Sequence, residues 1–332
     1  MAKFEEYLRK NAGYLLILAL LAGYILTKFI LFAVLCGLSI VGLFVYETYR
    51  GVQEGGWKKE LEEIIIAVAV GIAVWYGGGF LLHTSAPLDS IVSCSMLPRM
   101  DRGDMVVLSG SEINAPLVEV SASEWGQIND SMHTNFTCGP CTGQAGYTPY
   151  NFSICRVGCS NSCLIAIDGK PVFSGSNSSL FSYNYGLCTL KRGSGDITND
   201  VCVKSVTIKG KTFYENFSND IVVYEPLEKS VFSGAIIHRV LVKVSVDGKP
   251  YYLIKGDNNE VLDVQAPSKG VESGNGKCLF FADTAQNKPV PQENIKGKVI
   301  FKAPYVGYLK LFLWGYVGEP SGCDSVIEPA KQ

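Results

Sequence analysis

The hydrophobic pattern divides the chain into regimes. From Tyr14 to Tyr46 it is almost wholly apolar, broken by Lys28, and from Ile64 to Leu82 about 19 residues pass without a charge. As one straight helix the first run would reach about 50 Å, too long for a hydrocarbon core of about 30 Å. It therefore predicts two short helices, a hairpin over 14–46 turning near Thr27 and Lys28, and the 64–82 run predicts a single crossing. Beyond His83 the pattern changes to short β-branched or alternating runs: Met105 to Leu108, Ile221 to Tyr224, Ile236 to Val246, Tyr251 to Ile254 and Lys298 to Phe301. Each is bounded by Gly, Asp, Asn or Pro, as strands are. No helix-period segment of comparable strength follows Leu82. The expected fold is β-rich, an antiparallel, barrel-like sheet behind N-terminal membrane helices.

Between Leu108 and Asp220 the sequence is rich in Ser, Asn, Gly and Cys, with weak periodicity. Both of its flanks read as strands of one domain, so 109–219 is expected to be an insertion of about 110 residues. The domain plan is then an anchor over 1–83, a β-domain made of 84–108 and 220–304, the Cys-rich insertion, and a C-terminal segment and tail over 305–332. In that last segment, Tyr305 to Val317 is aromatic but too short to span, which suits an interfacial position.

Charge sets the expected topology. Lys3, Arg9 and Lys10 flank the first run, and Arg50, Lys58 and Lys59 lie between the two runs. The positive-inside rule puts both flanks in the cytoplasm, which requires an even number of crossings between them and places everything after His83 outside. The first run is too long for the h-region of a cleaved signal and no A-x-A site follows it, so an anchor is expected. Hydrophobic residues make up 47% and charged ones 18%, consistent with a partly lipid-buried chain. With a net charge of −2 and scattered basic residues, nothing points to nucleic acid.

Eleven cysteines sharpen the compartment. Cys138, Cys141, Cys155, Cys159, Cys163, Cys188 and Cys202 crowd into the insertion, which outside a cell reads first as disulfides. A zinc reading of Cys138/Cys141 lacks a matched second C-x-x-C or H-x3-H, so no metal and no cofactor is expected. Sequons at Asn135, Asn151, Asn177 and Asn216 would be usable only outside.

Candidate chemistry starts at "SIVSCSMLPRMDRGDMVVL", Ser90 to Leu108. A serine nucleophile needs a base, a group to orient it, and donors for an oxyanion. The exterior offers His83 at the membrane border, His133 in the insertion, and His238 in the apolar strand "AIIHRVLVKV". Downstream, "YLIKGDNNEVLD" offers Asp257 and Asp263, either of which suits holding an imidazole. Asp257-Asn258-Asn259 reads equally well as a polar hairpin turn, and local chemistry does not choose.

Four ordered blocks, "SCSMLPRMDRGDMVVL", "IIHRVL", "KGDNNEVLD" and "NIKGKVIFKAPYVGYL", resemble the signal peptidase I family, in particular its archaeal and endoplasmic-reticulum type. They cover about Ile91 to Leu108 and Asp220 to Leu311, leaving the insertion and the N-terminal hairpin outside. The resemblance implies a membrane-bound serine endopeptidase that cuts signal peptides from secretory preproteins after small residues. It implies Ser95 as nucleophile, His238 as base, Asp263 as the third member, and Asp257 as a second carboxylate near the site. Ser93 would join the backbone N–H of Ser95 in the oxyanion hole. Two positions depart from the family pattern: Cys94 where glycine is common, and Arg99 where a small or hydroxyl residue follows the proline. The implied partners are signal-peptide-bearing preproteins, the lipid bilayer, and translocon or accessory subunits. The implied location is the plasma membrane, with the endoplasmic reticulum as the alternative. Two other functions fit the same features: a Cys-rich surface receptor or adhesin on a relic domain, and a peptidase specialised for other precursors.

Overall fold

The computed structural model describes residues 11–132, 164–167, 170–173, 179–228, 230, 232–265, 268–273, 276–281, 287–320 and 322–328. Three helices come first: α1 (Ala12–Thr27), α2 (Ile30–Gly55) and α3 (Trp57–Leu82). Strands β1 (Leu88–Ser90), β2 (Met105–Ser109) and β3 (Leu117–Val120) lead to helix α4 (Ala122–Met132). There follow β4 (Leu164–Ile167), β5 (Lys170–Phe173), β6 (Phe181–Arg192), β7 (Ile197–Ile208), β8 (Lys211–Tyr214), β9 (Ile221–Tyr224), β10 (Ile236–Val246) and β11 (Lys249–Lys255). A 3-10 turn (Asp263–Gln265) precedes β12 (Ser268–Ser273), β13 (Gly276–Phe281), β14 (Val290–Pro291) and β15 (Ile295–Ala303). Helix α5 (Gly307–Leu313) and strand β16 (Ser325–Glu328) close the described chain.

The chain forms two compact units: Met1–Cys94 with Met100–Ser111 and Ile300–Cys323, and Ser95–Arg99 with Glu112–Val299 and Asp324–Gln332. In the first, α1 ends at Thr27 because Lys28 adopts a left-handed conformation (φ 56°), its N–H closing on Tyr24 O. Helices α2 and α3 are each long and apolar enough to cross a membrane, whereas α1 is a shorter apolar helix of 16 residues. Both long helices run beyond the apolar stretches that predict them. The polar residues 47–63 are helical apart from Gly56, and i,i+4 ion pairs Arg50–Glu54 (2.7 Å) and Lys59–Glu63 (3.7 Å) support that extension. At Gly56 a φ of 79° breaks the helix, a conformation that favours glycine.

The C-terminal α5 packs Tyr308, Leu311 and Phe312 against Tyr24, Ala33 and Cys36. Tyr24 meets Tyr308 and Phe312 edge-on, with ring centroids at 5.2 and 4.9 Å. Leu313, Trp314 and Tyr316 remain exposed. The buried Arg102 guanidinium donates to Tyr24 OH and to Tyr316 O. A disulfide joins Cys94 to Cys323.

The main sheet follows the order β1-β2-β15-β9-β10-β11-β14, an open, curled half-barrel with every pair whose register is resolved antiparallel except β3 on β10. Each of the five runs expected as strands lies in one. In the second unit β10 is the pivot. Its first half pairs with β9, its second half takes β3, and β11 runs along the opposite edge. A bulge between Val240 and Val242 shifts the register. Ile236 and Val240 therefore pack with Val222, Tyr224, Tyr252 and Ile254, while Val242, Val244 and Val246 join a second apolar cluster, although all are even-numbered.

The described part of 109–219 shares that second cluster. Ile128 and Met132 of α4, Phe181 and Tyr183 of β6, and Val203, Val206 and Ile208 of β7 pack against Leu241, Val242 and Leu253. This part holds a helix and a long β6–β7 hairpin, continued by β8 on one side and β16 on the other. Ser121 and Glu124 start α4 as a reciprocal cap: Glu124 N–H donates to Ser121 Oγ (3.3 Å) and Ser121 N–H to Glu124 Oε2 (2.8 Å). Cys188 and Cys202 form a disulfide across the hairpin. Cys138, Cys141, Cys155, Cys159, Cys163, His133 and the sequons at Asn135, Asn151 and Asn177 lie outside the described residues.

Candidate active site

The second unit brings together Ser95, His238 and Asp263. His238 sits in β10 opposite Val222 of β9, and strand alternation places it on the same face as Ile236 and Val240. Its Nε2 lies 2.9 Å from Ser95 Oγ, and its Nδ1 is 2.8 Å from both carboxylate oxygens of Asp263. His238 and Asp263 are both buried, whereas Ser95 is half-buried. A carboxylate accepts, so Nδ1 carries the ring proton and Nε2 keeps its lone pair for the serine hydroxyl. The order hydroxyl, imidazole, carboxylate is the one by which a serine is deprotonated as it attacks.

Asp263 opens the 3-10 turn and is held at three points. Besides the imidazole, it accepts the Tyr224 hydroxyl on Oδ2 at 2.8 Å, and its main-chain carbonyl accepts Asn287 Nδ2 at 2.9 Å. Burial and the adjacent Asp263 carboxylate push the Tyr224 phenol far up from its ordinary value, so that it stays a donor. Asn287 is held in turn by Ser230 Oγ at 2.7 Å. A small pocket with room for about one water opens beside Asp263, walled by Tyr224, Leu227, Phe232 and Asn287.

Asp257 belongs to a different arrangement. Arg239, the next residue along β10 and so on the other face, grips it with Nε and Nη2 at 2.8 and 2.7 Å. The same guanidinium donates through Nη1 to Phe217 O and Asn219 O at 2.9 and 2.7 Å. Asp257 and Arg239 are both buried, so this pair fixes the turn after β11 against β10. The turn then fixes the loop that carries Ser95. Asn258 N–H donates to Ser95 O at 2.7 Å, and a Cβ on Gly256 would stand 2.7 Å from that same oxygen. Asn258 also anchors β16 through Ser325 O and Ile327 N–H.

Cys94 and Arg99 each make a specific contact. The Cys94 sulfur is bonded to Cys323, which removes it as a thiol nucleophile in this form. The Arg99 guanidinium stacks on the Phe217 ring at 4.9 Å, and Arg239 covers the same ring at 5.4 Å. Ser93 is half-buried and belongs to the first unit. Lys255 is buried with Nζ on Glu215 Oε1 (2.9 Å) and Gly256 O (3.3 Å). Lys243 instead faces Glu112 at 3.5 Å. Tyr224, Asn287 and the clamp by Arg239 escape sequence reasoning. Tyr224 shows there only as the last residue of a strand, and a side chain's face is not readable before the pairing is known. Among the described residues no cluster of His, Cys, Asp and Glu could hold a metal.

No protein-family model matches the chain, and a search of curated proteins returns no significant match.

Proposed function

We propose that the protein is a membrane-anchored serine endopeptidase of the signal peptidase I type, removing signal peptides from secretory preproteins at the outer face of the membrane. The observation that carries this reading is the Ser95–His238–Asp263 relay, with contacts of 2.9 and 2.8 Å. In the reaction, Ser95 Oγ attacks the scissile carbonyl as His238 Nε2 takes its proton. Asp263 holds the imidazolium, and the tetrahedral intermediate collapses as His238 returns the proton to the leaving amine. Water, deprotonated by His238, then releases the acyl-enzyme. The Ser95 N–H serves as an oxyanion donor.

Membrane features support the substrate class. With α1 and α2 crossing as a hairpin and α3 returning, the basic flanks stay in the cytoplasm and Ser95 lies outside. Ser95 follows Leu82 by 13 residues, a tether of at most about 45 Å, so the hydroxyl works where a signal peptide leaves the bilayer. An extended substrate would add to an exposed strand, with small side chains at the first and third positions before the cut. The plasma membrane is the proposed location, with a translocon or accessory subunits as neighbours.

The test is cleavage of a precursor carrying a small-residue site by the full chain in detergent. Wild type cleaves; Ser95→Ala and His238→Ala do not, and Lys255→Met does. An adhesin leaves the precursor intact, and a specialised peptidase leaves it intact while still reacting covalently at Ser95. Loss of cleavage in Lys255→Met with retention in His238→Ala would overturn the choice of base.

A further inference from the structure

We propose that Tyr224 is a positioning residue of the catalytic relay, setting through Asp263 the orientation and hydrogen bonding of the His238 imidazole. This rests on the serine-peptidase reading above and extends it by one residue.

The argument is geometric. Asp263 Oδ2 accepts from two donors, His238 Nδ1 and Tyr224 OH, each at 2.8 Å, and all three groups are buried. A carboxylate on a short turn can rotate about its terminal bond, and rotation would carry its lone pairs away from Nδ1. The tyrosine blocks that rotation because it comes from a different element. Tyr224 ends β9, whose neighbouring residues Val222 and Val223 pair with His238 and Ile237 of β10. Imidazole and phenol are thus presented by adjacent, hydrogen-bonded strands and converge on one oxygen. Asn287 holds the same residue from behind through its main-chain carbonyl, so backbone and side chain of Asp263 are fixed independently. The hydroxyl also draws charge from Oδ2 and so tempers the pull of the carboxylate on the ring proton. A tyrosine serving only the core would need any acceptor; this one takes the oxygen that orients the base.

Tyr224→Phe deletes the hydroxyl and keeps the buried ring, so the core stays filled. Two readouts are needed. On a cleavable precursor, kcat should fall about tenfold with KM within about twofold, as for loss of a hydrogen bond to a charged group that acts through the base. In the full chain labelled with 15N-histidine in detergent micelles, only three imidazoles contribute. The His238 Nδ1–H resonance should move on Tyr224→Phe while the other two histidines stay in place. A structural role alone would lower thermal stability and leave that resonance unmoved.

The proposal is overturned if the His238 resonance does not move, or if an active enzyme keeps its kcat within twofold. If wild type cleaves no precursor and takes no covalent label at Ser95, the serine-peptidase reading fails, and the imidazole spectrum alone decides the positioning by Tyr224. A moved resonance then supports it and an unmoved one overturns it.

Discussion

His238 Nε2 stands 2.9 Å from Ser95 Oγ although 143 residues separate them in the chain. The contact depends on two attachments. β10 carries the imidazole on one face, and the turn after β11 holds the carbonyl of Ser95 through Asn258 N–H. Neither attachment involves the hydroxyl or the imidazole nitrogens, so the placement of Ser95 and the orientation of His238 can be perturbed separately.

The two aspartates should respond differently. Asp263→Asn should leave the fold intact and reduce cleavage by about 10³–10⁴-fold, because an amide no longer favours the Nδ1–H tautomer. Asp257→Ala should instead lower stability by about 3–5 kcal/mol, since it strands the buried Arg239 charge. Denaturant unfolding and single-turnover cleavage of both variants check the contrast. A stable Asp257→Ala enzyme that is inactive would show a catalytic role for that carboxylate.

Gly256→Ala should displace the nucleophile loop. An added Cβ would meet Ser95 O at 2.7 Å and the Asn259 side chain at 2.7 Å, and one of those neighbours is backbone. Overpacking of this kind costs about 1–3 kcal/mol, and cleavage should fall by more than the population of folded protein does. Unfolding curves read beside acylation rates would reveal it; wild-type acylation in a folded variant would refute it.

Acid should loosen α4 at its start. Donors from Lys209 and from Ser121 hold the Glu124 carboxyl at about 2, below its ordinary value of 4.5. Its contribution is therefore full above about 4.5 and is lost as the pH falls towards 2. Protection factors over residues 122–132, corrected for intrinsic exchange, should fall in that window in wild type and change less in Glu124→Gln, whose amide does not titrate. Equal pH dependence in both proteins would contradict the assignment.

Much of the strand framework was legible because its apolar runs are short and bounded by turn residues, as at Ile221 to Tyr224 and Ile236 to Val246. The long β6–β7 hairpin was not. Its alternating Phe181 and Tyr183, and Val206 and Ile208, are diluted by intervening Ser, Asn and Thr. Helix α4 carries the Ser121/Glu124 cap signature, but its apolar positions are too few to show a period. The helical 47–63 stretch is held by charge pairs rather than apolar periodicity, so the hydrophobic pattern ends before the helices do. At the site, local chemistry left Asp257 and Asp263 open. What separates them is which face of β10 Arg239 and His238 take, and the ladder pairing that sets this is not written locally.

The most direct measurement is covalent labelling of the full chain by a serine-directed warhead built on a small-residue cleavage sequence, with the adduct mapped by mass spectrometry. The relay predicts a single adduct on Ser95, lost in His238→Ala and retained in Lys255→Met. An adduct on another residue, or one on Ser95 that forms as fast without His238, would contradict it.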